Sequence, residues 1–136
     1  ELAFDDAGTI TGLAKEFQIT HNEDVNGAPF WHSSGCYLIY AREAEQDNHE
    51  VFIVDSYPGN PESGKPERYG TRAARVTNTR GFDGLPALDA ESKVMIWTSQ
   101  RDGGSSQLYI SKFPEDPEIF FAVPRQESPK ADHDGS

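Results

Sequence analysis

The chain has 136 residues, enough for one domain with its own core, with 35% apolar and 11% aromatic content. Twenty-three Asp and Glu against twelve Lys and Arg leave a net charge of −11. That charge disfavours nucleic acid and anionic membrane surfaces as partners, because both need a basic face. Twelve glycines and nine prolines spread along the chain predict many turns and no long helices.

Taken in order, residues 1–16 form an N-terminal segment with strand pieces at Leu2 to Phe4 and Thr9 to Leu13, around an Asp5-Asp-Ala-Gly8 turn signal. The chain opens Glu1-Leu-Ala-Phe without Met, as a processed protein or a fragment would. Phe17 to Thr20 reads as a short strand and His21 to Gly27 as a polar loop. Ala28 to His32 precedes a turn at Ser33-Ser-Gly35. Cys36 to Ala41 is an apolar run, Arg42 to His49 a charged loop, and Glu50 to Asp55 a strand. Residues 56–73, rich in Pro and Gly, read as a long irregular loop. Leu85 to Leu88, Val94 to Thr98 and Gln107 to Ser111 read as three strands, with loops at Asp89 to Lys93 and Gln100 to Ser106. Phe113 to Pro124 carries a short apolar patch, and Gln126 to Ser136 is a polar tail expected to be disordered.

Shifting the chain against itself by 57 residues aligns two halves without a gap. Phe17 to Thr20 falls on Ala74 to Thr77, Val25 to Pro29 on Phe82 to Pro86, Tyr37 to Tyr40 on Val94 to Trp97, and Glu50 to Ile53 on Gln107 to Ile110. Identities fall on Thr20 and Thr77, Gly27 and Gly84, Pro29 and Pro86, Ile39 and Ile96, and Ile53 and Ile110. An internal period of this kind means stacked β units. The first repeat spans 17–73 and the second 74–112, with an extension over 113–136.

The second copy, with Met95-Ile-Trp-Thr-Ser-Gln-Arg-Asp-Gly103 and Gln107-Leu-Tyr-Ile110, resembles the PD40 (WD40-like) repeat of TolB-type β-propellers. The first copy offers Ala28-Pro-Phe-Trp-His, Tyr37 to Tyr40 and Val51 to Asp55 in the same order. Ser33-Ser-Gly35 and Ala90-Glu-Ser92 replace the family's Pro-Asp-Gly turn. The resemblance implies an all-β fold of two four-stranded antiparallel blades, an incomplete propeller. It implies that the strands Tyr37 to Tyr40 and Val94 to Trp97 are covered on both faces, and it points to the periplasm or cell surface. Two blades do not close a ring that takes about 4–8. The chain is therefore part of a longer propeller, or assembles with copies of itself, or is covered by another protein or its own loops. Phe30, Tyr40, Met95 and Tyr109 are the expected exposed apolar residues.

Chemistry-bearing motifs are sparse. His21, His32, His49 and His133 lack metal-ligand spacing, the single Cys36 suits a small buried position, and no metal or cofactor is implied. No nucleophile elbow is present, and Arg101-Asp102-Gly-Gly reads as a hairpin turn. Trp31 and Trp97 read as blade core. Asp24, Asn26 and Asp83 lie in loops that the resemblance places at a channel mouth, and Tyr57 and Tyr69 are candidate aromatic anchors for a partner. These features point to a non-catalytic interaction or scaffold module whose partners are other protein subunits or further copies. The alternatives are an accessory domain of an exported hydrolase and a ligand- or metal-binding propeller.

Overall fold

The computed structural model describes residues 1–59 and 61–122, and the tail Gln126 to Ser136 lies outside them, as does His133. The fold is all-β. Among the described residues nine strands run β1 (Leu2–Phe4), β2 (Ile10–Leu13), β3 (Asn26–Trp31), β4 (Tyr37–Glu45), β5 (Asn48–Tyr57), β6 (Arg68–Arg75), β7 (Asp83–Leu88), β8 (Val94–Ser99) and β9 (Gln107–Lys112). They form three antiparallel sheets: β1-β2, β3-β4-β5-β6 and β7-β8-β9. No helix among the described residues is long and apolar enough to cross a membrane.

The 57-residue shift holds in the backbone. Phe30 pairs with Ile39 and Trp31 with Leu38, as Ala87 pairs with Ile96 and Leu88 with Met95. Ile39 pairs with Ile53 as Ile96 pairs with Ile110. Both first hairpins carry a register shift at the same place, where Ala28 and Leu85 take φ of 49° and 51°. Each turn closes through the same bond: the Gly35 N–H donates to His32 O and the Ser92 N–H to Asp89 O, both at 2.9 Å. In place of the Pro-Asp-Gly chemistry, His32 Nδ1 accepts the Ser34 N–H at 3.1 Å, and Asp89 Oδ1 accepts the N–H groups of Lys93 and Val94.

Several expectations are corrected. Among the described residues the second sheet has three strands, and the positions equivalent to β6, 125–132, lie outside them. Residues 56–73 are not one loop, because β5 runs to Tyr57 and Arg68 to Arg75 pairs with it as the fourth strand. Arg42 to His49 is not a loop either: β4 and β5 continue into a tight reversal at Gln46 and Asp47. Phe17 to Thr20 runs outside any sheet.

The four-stranded sheet is the centre of the fold. One face of β4 and β5 sends Ile39, Val51 and Ile53 into a core with Leu88, Met95, Trp97 and Phe113. The other face sends Leu38, Tyr40, Phe52 and Val54 toward Ile19 and Ala44. Burial on both faces explains the unbroken apolar run of this strand pair. The expectation of double coverage fails for Val94 to Trp97: Met95 and Trp97 are buried, whereas Ile96 is exposed. Tyr40 and Met95, expected at the surface, are core, and Trp31, expected in the core, is 55% exposed. Phe30 is exposed as expected, while Tyr109 is half-buried.

Two close approaches fix how the layers meet. β7 lies across β3, β4 and β5, and a Cβ on Gly84 would stand 3.3 Å from the Ala41 Cβ and 2.7 Å from the Phe82 ring. At Gly70, with φ +66°, a Cβ would stand 1.6 Å from the Ile19 carbonyl oxygen. Only glycine lets the segment before β3 cross β6 at that distance. Gly70→Ala is expected to destabilise the fold by about 2 kcal/mol or more, through strain and displaced backbone. Chemical denaturation reads this directly, and an unchanged midpoint would place the crossing elsewhere.

Candidate functional site

Among the described residues three carboxylates are fully buried, and each is consumed by structure. Glu50 on β5 accepts from the Thr77 hydroxyl, from the Thr79 N–H at 2.8 Å, and pairs with Arg75 at 3.2 Å. Asp55 accepts from the Thr71 hydroxyl and from the Arg72 N–H at 2.7 Å. Asp83 accepts from Trp97 Nε1 at 2.8 Å, from Arg101 Nη2 at 3.2 Å and from the Thr79 hydroxyl. Burial pushes the Asp83 carboxyl up, but hydrogen bonds from Ser99, Thr79, Trp97 and Arg101 outweigh it and hold it below its usual range. Asp83 thus anchors β7 and β8 through buried hydrogen bonds.

Asp24 and Asn26 are equally committed. Asp24 Oδ2 meets Arg42 Nε at 2.7 Å, while Asn26 Nδ2 donates to Asn22 Oδ1 at 2.9 Å and to Asp24 O at 2.8 Å. The fold thus brings Asp24 and Asn26 together at the start of β3. Asp83, at the position equivalent to Asn26, sits at the start of a different sheet. Among the described residues no group of three or more His, Cys, Asp or Glu could hold a metal ion. Tyr57 and Tyr69 occupy neighbouring places where β5 meets β6, and both are half-buried. Tyr69 stacks on Phe17 at 4.4 Å, and the Arg68 guanidinium lies 5.8 Å from the centre of the Tyr57 ring. Tyr69 thus holds down the segment before β3.

Other side chains singled out by type also have local partners. His32 is buried beside Tyr37 and Phe113, and burial lowers its pKa. His49 packs near Phe82 and His21 is exposed in its loop. Cys36 is half-buried, with its thiol 3.6 Å from Ser34 O. Arg101 lies against both Trp97 and Tyr109, in a turn closed by the Gly103 N–H donating to Gln100 O. After β9 the chain returns across the core. Phe113 is buried between the sheets, and Glu118 takes a two-pronged bond from Arg72, at 2.6 and 2.9 Å, together with the Tyr37 hydroxyl. Those bonds, Arg72 first, hold the Glu118 carboxyl down to about 2, and burial with the Glu118 contact pushes Tyr37 up to about 12.

The surface left without a partner is apolar. On the three-stranded sheet Leu85, Ile96, Leu108 and Ile110 point away from the core, and Leu108 and Ile110 are 73% and 72% exposed. Ile96 pairs with Ile110 and Thr98 with Leu108, so Ile96, Leu108 and Ile110 share one face, beside an edge of β9 that no described strand covers. At the opposite end of the molecule, a groove of about 400 Å3 is lined by Phe17, Ile19, Trp31, Leu38 and Tyr40 among others. The sequence reading expects exposed outer faces carried by Phe30, Tyr40, Met95 and Tyr109; the exposed face of the three-stranded sheet is instead carried by Ile96, Leu108 and Ile110, and Tyr40 lines the groove. The available signal was the alternation of Ile96 with Met95 and Trp97, hidden inside an unbroken apolar run. No protein-family model matches the chain, and neither does any curated protein.

Two outcomes follow from the carboxylate network. Asp83→Ala is expected to destabilise by about 3–5 kcal/mol, because it strands buried donors, whereas Asp24→Ala costs about 1 kcal/mol or less. Equal costs at the two positions, measured by denaturation, would contradict the assignment of Asp83 as the anchor. The Glu118 carboxyl titrates near 2 in the fold against 4.5 when free, so its contribution is complete above about pH 4.5 and is lost as pH falls toward 2. Acid titration of unfolding should show wild type above Glu118→Gln at neutral pH, with the gap closing by about pH 2.

Proposed function

We propose that this chain is a non-catalytic protein-interaction module that docks through the outer face of its three-stranded sheet. The observation that carries this reading is the exposed face of Ile96, Leu108 and Ile110 beside an edge of β9 that no described strand covers, with Leu85 also exposed on that sheet. A contiguous apolar face of this kind is the signature of a docking site. Buried carboxylates that serve as hydrogen-bond anchors support the same reading, because the chain spends its titratable groups on holding the sheets together. The blade-like repeat pattern is consistent with a TolB-type scaffold, and residence in the periplasm or at the cell surface accompanies that proposal.

A photo-crosslinking side chain placed at Leu108, in the cells that make the protein, tests it. A discrete covalent adduct with a protein is expected at Leu108, and none from the same probe at Asp6 in the exposed N-terminal turn. No adduct at Leu108 would contradict the docking face.

A further inference from the structure

Resting on that docking reading, we propose that the partner of the outer face is a second copy of this chain, bound head to tail in the apolar groove at its other end. The argument comes from the junction inside the molecule. There, the face carrying Ile39, Val51 and Ile53, with Ala74 beside Ile53 on the same sheet, packs in one core with Val76, Leu88, Met95 and Trp97. The 57-residue shift carries Ile39, Val51 and Ile53 onto Ile96, Leu108 and Ile110, which are the exposed residues of the three-stranded sheet. It carries Ala74, Val76, Leu88, Met95 and Trp97 back onto Phe17, Ile19, Trp31, Leu38 and Tyr40, which all line the groove. Each end of the chain therefore displays one half of an interface that the chain already makes once internally.

The polar and backbone parts of the junction repeat as well. Internally Glu50 holds Thr77, and the equivalents are Gln107, exposed on β9, and Thr20, at the rim of the groove. Internally β6 pairs with β5 through Ala73, Ala74 and Arg75. Their equivalents, residues 16–18, run outside any sheet, and among the described residues no fourth strand pairs with β9. A second copy thus supplies side chains for the apolar face, a hydrogen-bond partner for Gln107, and a strand beside β9. Because the two docking surfaces differ, the contact is heterologous: it propagates until a ring closes or a filament grows.

Sedimentation of the full chain over a concentration series, with one variant at each end, provides the test. Ile96→Lys with Ile110→Lys alters only exposed residues of the face, and Trp31→Glu alters an exposed residue of the groove. Wild type is expected to self-associate, and each variant to weaken self-association by on the order of tenfold or more. An equimolar mixture of the two variants is expected to form dimers and nothing larger, since one intact face meets one intact groove. A wild type that stays monomeric, association that survives either variant, or a mixture that does not pair would each overturn self-docking. If wild type is monomeric while the Leu108 probe still captures a different protein, the docking module stands and only the second-copy assignment falls.

Discussion

The passage from one sheet to the next depends on a carboxylate clamp. Glu50, fully buried on β5, gathers Thr77, Thr79 and Arg75, and Thr79 in turn bonds Asp83 at the start of β7. Residues 76 to 82 are thereby held at both ends while β7 is laid across β3, β4 and β5. Without the clamp, two buried charges would be left in an apolar junction, and their desolvation would oppose the packing of Ile39, Val51 and Ile53 on Met95 and Trp97. The clamp also sets the distance at which the sheets meet. Gly84 allows the contact with Ala41, and Trp97 reaches Asp83 through its ring nitrogen, so the largest core side chain is oriented by the same anchor.

A stack organised this way has ends. The central sheet is covered on both faces, by the three-stranded sheet on one side and by the Ile19 segment on the other. The three-stranded sheet is covered once. Its outer face keeps apolar residues at the positions that, in the central sheet, are buried against the three-stranded sheet. Ile96, Leu108 and Ile110 have the chemistry of a buried surface and the exposure of a free one. The groove beside Trp31 has the converse form, a lined space without the ridge that fills its internal counterpart. The reading of the chain as a docking module follows from this mismatch between residue type and exposure.

Much of this was legible in the sequence. The all-β class, the repeat period, and the strands at Tyr37, Glu50, Val94 and Gln107 follow from apolar runs bounded by turn residues, and β1 and β2 followed from weaker patterns. β6 was obscured by its composition. Arg68-Tyr-Gly-Thr-Arg-Ala-Ala-Arg75 reads as polar loop, and it is a strand because β5 offers it an edge and because Gly70 admits the Ile19 crossing. Phe17 to Thr20 shows the reverse: it has strand-like residues and no edge to join. Local pattern cannot report which edges are available, since that depends on contacts distant in sequence. The candidate site was hidden for a related reason. Asp24, Asn26 and Asp83 look like free ligands until Arg42, Asn22 and Trp97 are seen to use them. Ile96 looks like core until the outer face is seen to be open.

Hydrogen–deuterium exchange along β9 is the most direct test, because it reads whether the edge amides of β9 are paired. Fast exchange of the outward amides of Gln107 to Lys112 is expected in dilute solution, with strong protection of the same amides as concentration rises or a partner is added. Slow exchange at every dilution, with no response to concentration or partner, would mean that this face is already closed within the single chain, and would contradict the account.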